Sequence, residues 1–316
     1  MKKDLIRYAV LSLIIMASCT KKEIVPEPTA ESGQETFSSL ESYLSSRMPQ
    51  SESFQFLVES GGVFTTQKGT VITVPANVLI TMGGTTVTGN VDMKFKEIFS
   101  NSDIIFSGVY PVSNGTQLNS GGEYYIEFSQ NGDKLLIANG QIINVKLPGQ
   151  SIDPGMMLFF ANGEEDPDTL NWQLADSVAI YSGFTFNSAD SSYSIDLDSV
   201  GWGNIDAFTS ITYFDITFDL TGVSGLNSTN TRAYAVFKNE NTVWPMGTES
   251  FGSILNNQIY EMHLGTVPMN VLVISVVNQQ LYYGLLDVTP QQGVNYSIPL
   301  QSVLSSDLDQ IINNLP

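Results

Sequence analysis

The sequence predicts an all-β protein with two β-sandwich-like domains, which follow an N-terminal signal and a short tether, and with a short C-terminal helix. Two observations support this prediction. Apolar and polar residues alternate over short runs such as Val91 to Lys96, which is the two-residue period of a β-strand. Gly-Gly and Asn-Gly pairs separate these runs at intervals of roughly 8–12 residues, the spacing of turns in a sandwich. Both pairs reach positive φ at low cost, as tight hairpins require.

The 316 residues divide on this basis into five segments. The predicted boundaries are 1–18 for a signal peptide, 19–50 for a tether with a short helix, 51–150 for a first β-sandwich, 151–206 for a transitional β segment, and 207–316 for a second β-sandwich with the C-terminal helix.

The N-terminal segment has the organisation of an export signal. Basic residues open it, residues 8–16 are apolar, and Met16-Ala17-Ser18-Cys19 resembles the bacterial lipobox, in which an aliphatic and two small residues precede a cysteine. The apolar run is about half of the roughly 20 residues that a transmembrane helix needs. The resemblance implies a lipoprotein whose lipidated N-terminus is Cys19, the only cysteine of the chain. An ordinary cleaved signal that leaves Cys19 as a free thiol is the alternative.

Charge and cysteine content limit the possible partners and the sources of stability. Removal of residues 1–18 takes away three basic residues and one acidic residue, and leaves 10 basic and 31 acidic residues with a net charge of −21. This charge argues against nucleic acid and against contact with an anionic lipid surface. If Cys19 is lipidated, the chain forms no disulfide and its stability must come from burial.

Both ends of the mature chain are predicted to differ from its strand-rich middle. Residues 20–35 are polar and would span roughly 20–25 Å as a flexible tether. Residues 37–47 have helical spacing, with Pro49 as a stop. At the C-terminus, Ser306 to Leu315 is predicted as a helix, with Ser306 and Asp309 spaced as in a capping box.

Strands are predicted between these helices. Apolar residues of Val91 to Lys96 and of Glu123 to Phe128 are expected to face one side, with Lys96, Glu123 and Tyr125 on the opposite, outward side. In the second sandwich, Phe214 to Leu220 alternates in the same way, and Val271 to Val277 is apolar throughout, as expected of a central strand buried on both faces.

Residues 61–148 resemble the domain shared by zonula-occludens proteins, netrin receptors and ankyrins, the ZU-five domain. The resemblance depends on two sequence motifs, Gly61-Gly62-Val63-Phe64 and the stretch from Gly69 to Asn77, GTVITVPAN. Residues 103–108 and 118–122 are similar to the form of this domain found in exported Bacteroidota-type proteins. Residues 201–208 are similar to a sequence motif in uncharacterised lipoproteins of that group. The resemblance covers about a quarter of the chain and implies a β-sandwich interaction module without catalytic residues.

The sequence offers little for catalysis. His263 is the only histidine and the chain contains no G-x-S-x-G, so the usual hydrolase triad and the two-histidine zinc motifs are not predicted. No dinucleotide or Walker motif occurs, and no cofactor or metal is predicted. A pair of carboxylates could still act in glycoside hydrolysis, because such pairs are defined by their separation in space.

Two weaker constellations concern ligand binding. The acidic run from Asn162 to Asp168 could ligate calcium, although its spacing matches no known calcium loop and a solvated loop is favoured. Trp172 and Trp244 are candidate ligand-binding residues, because exposed tryptophans could stack on a sugar. Trp202 is expected to lie in the core.

We therefore expect a non-enzymatic, membrane-anchored lipoprotein that acts as a binding or structural module at the bacterial envelope, at the outer membrane, with a protein or glycan ligand. A glycan-binding accessory protein of a polysaccharide-uptake system is the first alternative. A carboxylate-pair glycoside hydrolase is the second.

Overall fold

The computed structural model describes residues 35–149, 155–167, 170–175, 183–247 and 253–316, and the side chains of these residues except 261–263. Residues 35–316 belong to one compact unit. The fold is all-β, as predicted, with helices at both ends of this unit and one short helix within it.

The first helix, α1 (Leu40–Ser45), lies within the predicted helical range 37–47. The hydroxyl of Ser39 accepts a hydrogen bond from the backbone N–H of Ser42 at 3.1 Å, and the hydroxyl of Ser42 accepts one from the N–H of Ser39 at 3.1 Å. This reciprocal capping satisfies N–H groups that the first turn cannot pair internally. The apolar face of α1, which includes Tyr43, is buried.

The strands of the first sandwich occupy most of the chain up to residue 208. They are β1 (Glu52–Leu57), β2 (Gly62–Thr65), β3 (Val71–Val74), β4 (Leu79–Thr81), β5 (Asn90–Ile98), β6 (Val112–Ser113), β7 (Thr116–Gln130), β8 (Asp133–Ile137), β9 (Ile143–Pro148), β10 (Met157–Ala161), β11 (Gln173–Leu174), β12 (Gly183–Asn187), β13 (Ser192–Leu197) and β14 (Gly201–Phe208). At the β7–β8 hairpin, Asn131 and Gly132 have φ of 53° and 89°, as predicted for an Asn-Gly turn.

Two described sheets form this sandwich. The long sheet has the order β1-β5-β7-β14-β10-β11, with β4, β6 and β8 at its side, and the short sheet has the order β12-β13-β9-β3-β2. Their facing side chains, among them Phe95, Phe128 and Ile195, form the first core. Both sheets take strands from the predicted transitional segment 151–206, namely β10, β11 and β14 in the long sheet and β12 and β13 in the short sheet. The first sandwich therefore extends beyond the predicted boundary at residue 150. Periodicity does not reveal this, because it carries no information on which strands pair with one another.

The second sandwich begins at Tyr213 rather than near Ala207. Its strands are β15 (Tyr213–Thr221), β16 (Thr231–Phe237), β17 (Val243–Met246), β18 (Ser253–Leu255), β19 (Gln258–Gly265), β20 (Met269–Val277), β21 (Gln280–Val288), β22 (Asn295–Pro299) and β23 (Gln301–Ser302). The described sheets have the orders β18-β19-β15-β22 and β17-β16-β20-β21-β23. As predicted, β20 lies between two partners and is buried on both faces.

The remaining helices lie between the sandwiches. The sequence did not predict α2 (Asn101–Ser107), which is capped by Ser100 and ends at Gly108 with φ of 71°. The last helix, α3 (Ser305–Asn313), has Leu304 as its N-cap, without a side-chain cap. The predicted capping pair of Ser306 and Asp309 is therefore wrong, because the helix begins one residue earlier and the carboxylate of Asp309 faces α1 instead.

A third apolar cluster joins the two sandwiches, and we call it the shared core. It combines the three helices with the outer face of the long sheet and the outer face of the β16–β20 sheet, including Tyr43, Ile104, Tyr125, Phe159, Trp202, Tyr234, Leu272 and Leu308. The middle of the long sheet, in β7 and β14, is consequently buried on both faces. Tyr125 and Glu123, predicted to point outward into solvent, are 2% and 0% exposed, because the shared core covers the side on which they lie.

Candidate functional site

An acidic cleft opens at one end of the first core, beside the segment that follows α1. Its volume is about 320 Å³. It is lined by Pro49, Gln50, Ser51, Glu52, Gln67, Lys68, Phe95, Glu97 and Asp103. These residues come from the start of β1, the turn after β2, the end of β5 and the first turn of α2. The cleft therefore depends on the sandwich and the helix together.

Glu97 is the most unusual residue of this cleft. It continues the inward-facing series of Met93 and Phe95 along β5, so the alternation of the strand directs a carboxyl group to the end of an apolar core. Its side chain is buried, with the residue only 6% exposed. Burial raises the pKa of Glu97, against the opposing effects of hydroxyl hydrogen bonds and of Lys68.

The hydrogen bonds of Glu97 use only one of its two oxygens. Oε1 accepts from the hydroxyl of Thr66 at 2.8 Å and from the hydroxyl of Thr70. No described residue donates a hydrogen bond to Oε2, and this oxygen is accessible to solvent. Because Glu97 lines the cleft, this second oxygen is the part of the carboxyl group that the cleft exposes.

Two further carboxylates of the cleft are also held through one oxygen. Oε1 of Glu52 accepts from the backbone N–H of Gln67 at 2.8 Å. Oδ2 of Asp103 accepts from the N–H groups of Phe99 and Ser100, each at 3.0 Å. The backbone thus positions both acids and leaves their second oxygens without a partner among the described residues.

Lys68 is the only basic residue that lines the described cleft. Its ammonium group lies 2.7 Å from Oδ2 of Asp103 and 3.3 Å from the carbonyl oxygen of Glu97, and it lies 5.7 Å from the centre of the Phe99 ring. The cleft therefore combines three acids with one base. Such a site favours ligands that carry hydrogen-bond donors or positive charge and repels anions.

The structure does not support the predicted tryptophan-based binding surface. Trp172 is 0% exposed and Trp244 is 1% exposed. Nε1 of Trp172 donates to the carbonyl oxygen of Tyr110 at 3.0 Å, and its ring meets Trp202 edge to face at 6.3 Å. Trp244 packs in the core of the second sandwich. Neither ring offers a face to a sugar, because both are packed in the protein interior. Trp202 is a core residue, as expected.

The acidic loop after β10 is engaged with lysines. Glu164 pairs with Lys134 at 2.7 Å, Glu165 pairs with Lys94 at 3.1 Å, and Asp166 pairs with Lys96. Lys96, predicted on an outward face, is 3% exposed, because this loop covers it. Asp168, the last predicted calcium ligand, lies outside the described residues. Within the described part of the chain, no group of three or more His, Cys, Asp or Glu is arranged to hold a metal ion.

Several predicted features fall where the structure gives no description. Cys19, the signal peptide and residues 20–34 of the tether lie outside the described residues, and so does the side chain of His263. No helix within the described ranges is long and apolar enough to cross a membrane.

Comparison with known proteins adds no relative. No protein-family model matches the chain, and no curated protein matches it. The resemblance of residues 61–148 to the ZU-five domain therefore stays a prediction.

Sequence reasoning did not single out Glu97, Thr66 or Thr70. A signal was nevertheless present: in the series Val91, Met93, Phe95, Glu97, the acid occupies an inward position of an alternating strand. An acid at such a position must find hydrogen-bond donors or an opening to solvent. The two threonines that meet it follow β2, about 30 residues earlier in the chain, and only the folded sheets bring them there.

Proposed function

We propose that the chain is a non-enzymatic, lipid-anchored binding protein of the bacterial envelope, and that its binding site is the acidic cleft. The anchor is inferred from the lipobox-like Met16 to Cys19. The observation that carries the binding role is the buried Glu97, whose Oε1 is held by two hydroxyls while its second oxygen faces the cleft.

The ligand class follows from the chemistry of the lining. The three carboxylates offer acceptors, and the amides of Gln50 and Gln67 offer both acceptors and donors. We therefore infer a small polar ligand, or a side chain of a partner protein, that presents an amine. The anionic cleft favours a cationic amine over a neutral polyol, because the charge of the ligand then compensates the desolvation of the acids.

The glycan-binding alternative uses the same cleft. Sugar hydroxyls would donate to the free carboxylate oxygens, but the aromatic platform expected from Trp172 and Trp244 does not support it, since both rings are buried. The carboxylate-pair hydrolase is favoured by one observation: Glu97 has a raised pKa and Glu52 is a second acid of the same cleft, the pattern that separates an acid from a base.

A thermal-shift screen tests these alternatives. Purified mature protein would be mixed with primary amines, amino sugars and neutral oligosaccharides, in wild type and in Glu97→Gln, with Glu41→Gln as a control because Glu41 is exposed on α1. We expect amines to stabilise wild type and Glu41→Gln but not Glu97→Gln. Absence of any shift, or equal shifts in all three proteins, would rule out this cleft as the site.

Two further measurements separate the other parts of the proposal. Turnover of aryl glycosides that is lost in Glu97→Gln would replace binding with hydrolysis. Palmitate labelling of the protein expressed in bacteria should be abolished by Cys19→Ala and should survive Ser18→Ala, which keeps a small residue before the cysteine. Labelling that persists without Cys19 would refute the anchor and leave the cleft proposal intact.

A further inference from the structure

A second group of acids lies inside the protein, away from solvent, where the long sheet meets the shared core. Glu123 on β7 and Asp206 on β14 are both 0% exposed, and so is Asn204. Burial of one ionised carboxyl group is costly, and burial of two close together is more so. Such a pair requires a specific compensation.

Strand register places these residues side by side. Asn204 lies directly opposite Glu123 in the antiparallel β7–β14 pair, and Asp206 lies opposite Ser120. Directly opposite residues point to the same face, with Cβ atoms about 4.5–5.5 Å apart. The register shifts between Asn204 and Asp206, yet Nδ2 of Asn204 still reaches Oδ2 of Asp206 at 2.6 Å. The three side chains thus form one contiguous group, which we call the buried acid group.

Most of the oxygens in the buried acid group have no partner within the described structure. Both carboxylate oxygens of Glu123, Oδ1 of Asp206 and Oδ1 of Asn204 are inaccessible to solvent and accept no hydrogen bond. In the same cross-strand row, the neighbours on either side are Ile98 on β5 and Phe159 on β10, both apolar. The buried acid group therefore contains four acceptor oxygens to which no described residue donates a hydrogen bond.

The charge balance points the same way. Oδ2 of Asp206 accepts a hydrogen bond from Nδ2 of Asn204, which leaves Oδ1 of each of these two side chains without a donor. Among the described residues, no lysine or arginine forms an ion pair with Glu123 or Asp206.

We propose that Glu123, Asn204 and Asp206 hold a hard divalent cation, Ca²⁺, between the long sheet and the shared core. Ca²⁺ takes carboxylate and amide oxygens, accepts bidentate carboxylates and tolerates irregular geometry. Two carboxylates balance its charge. The four unpartnered oxygens supply part of the six to eight that Ca²⁺ prefers, and the hydroxyl of Ser120 or water completes the set. Only two of the ligands are acids, so the site differs from clusters of three or more acidic or histidine side chains.

The position gives such an ion a structural role. At Ser120, the backbone N–H of β7 donates to the carbonyl oxygen of Asn241 at 2.9 Å, and Nδ2 of Asn241 donates to the carbonyl oxygen of Ser120 at 3.0 Å. Asn241 belongs to the second sandwich, in the loop before β17. A cation at the buried acid group would therefore stabilise the strand segment on which the second sandwich docks, and Ca²⁺ would strengthen the association of the two sandwiches.

Metal binding can be measured on the wild-type mature protein. After dialysis against a chelator, CaCl₂ should raise the melting temperature by several degrees, because an ion that binds only the folded state stabilises it by mass action. Native mass spectrometry should show one Ca²⁺ per chain. Tb³⁺, a luminescent substitute for Ca²⁺, should be sensitised by excitation of Trp202, two residues from Asn204 on the same face, and should be displaced by Ca²⁺.

Variants locate the ion. Glu123→Gln and Asp206→Asn should each lose the Ca²⁺-dependent shift and the Tb³⁺ signal, while Asp287→Asn, an exposed acid 71% accessible at its side chain, should keep both. If the first two variants fail to fold, the wild-type metal content and melting temperature still decide. The proposal would be overturned if the wild-type protein bound no stoichiometric Ca²⁺ and its melting temperature did not shift. In that case the two acids are balanced by protons rather than by a cation. Ca²⁺ binding that persists in folded Glu123→Gln would also overturn it.

Discussion

Tyr43 on the first helix and Asp309 on the last are joined directly: the hydroxyl of Tyr43 donates to Oδ1 of Asp309 at 2.8 Å. Arg47 reaches the same carboxylate through Nε at 3.2 Å, and its guanidinium group lies 5.0 Å from the centre of the Tyr43 ring. A hydrogen bond and an ion pair to one carboxylate therefore join the two ends of the compact unit, which are 266 positions apart in sequence. Because short isolated helices are marginal in water, α1 and α3 depend on such contacts and on their packing in the shared core.

Removal of this hydroxyl should destabilise the protein measurably. Tyr43 is 0% exposed, and Tyr43→Phe removes a donor to a charged acceptor, which is worth about 1.5–3 kcal/mol. We expect a loss at the lower end of that range in urea unfolding, because Arg47 still pairs with Asp309. Tyr260→Phe is the matched control, since Tyr260 is 43% exposed, and should cost less than about 0.5 kcal/mol. Equal losses in both variants would contradict the fastening role.

Glu97→Gln should stabilise the protein increasingly as the pH rises. The pKa of Glu97 is higher in the folded protein than its ordinary value of 4.5, so the folded state holds the proton more tightly. The contribution of Glu97 to the free energy of unfolding therefore falls as the pH rises from 4.5 through the raised pKa. Glutamine cannot lose a proton and can still accept from Thr66 and Thr70.

The measurement is the difference in unfolding free energy between Glu97→Gln and wild type across this pH range, by urea titration at each pH. The difference should be small below pH 4.5, should grow above it, and should then level off. Glu41→Gln should stay within about 0.5 kcal/mol of wild type throughout. A difference with the opposite pH trend would show that the folded state favours the ionised form of Glu97.

The buried ammonium group of Lys96 should lower the free energy of unfolding mainly when its partners Glu165 and Asp166 are neutralised. The double change Glu165→Gln with Asp166→Asn leaves an ammonium group on a residue 3% exposed without a carboxylate, which we expect to cost about 3–5 kcal/mol. Lys96→Met, which removes the charge and keeps the volume, should cost less than about 1.5 kcal/mol. Added to the double variant, it should restore most of the lost stability.

Urea unfolding of the four proteins gives the test as a cycle. The exposed pair Lys238 and Asp287 provides the control, because Asp287→Asn should change stability by less than about 0.5 kcal/mol. If Lys96→Met fails to rescue the double variant, the loop after β10 depends on its acids for reasons other than Lys96.

Trp172→Ala and Trp244→Ala should each lower the free energy of unfolding by about 3–5 kcal/mol, the usual cost of a large aromatic side chain removed from a core. Leu255→Ala, at a position 56% exposed, should cost less than about 1 kcal/mol. The comparison uses urea unfolding monitored by far-ultraviolet circular dichroism. Near-neutral effects at either tryptophan would mean that its ring is not part of the packed interior. Any loss of glycan binding in these variants would need a parallel measurement of folding.

Periodicity predicted correctly those parts of the fold that depend on local pattern. The alternation of Phe214 to Leu220 and the apolar run of β20 fix which side chains are inside, because a strand side chain can face only two ways. The same pattern could not show that β7 and β14 are covered on both sides. Glu123 and Lys96 read as solvent-facing from their neighbours in sequence, yet residues far along the chain bury them.

The sequence by itself determined the all-β class, the positions of the terminal helices, the turn at Asn131-Gly132 and the expectation of a lipid anchor at Cys19, because each follows from local chemistry. Only the tertiary structure decided that strands β10 to β14 complete the first sandwich, that Trp172 and Trp244 are interior, and that Glu97 lines a cleft while Glu123 and Asp206 are buried. The reason is physical: strand pairing and sheet packing join residues distant in sequence, and the environment of a charge is set by what those partners bring to it.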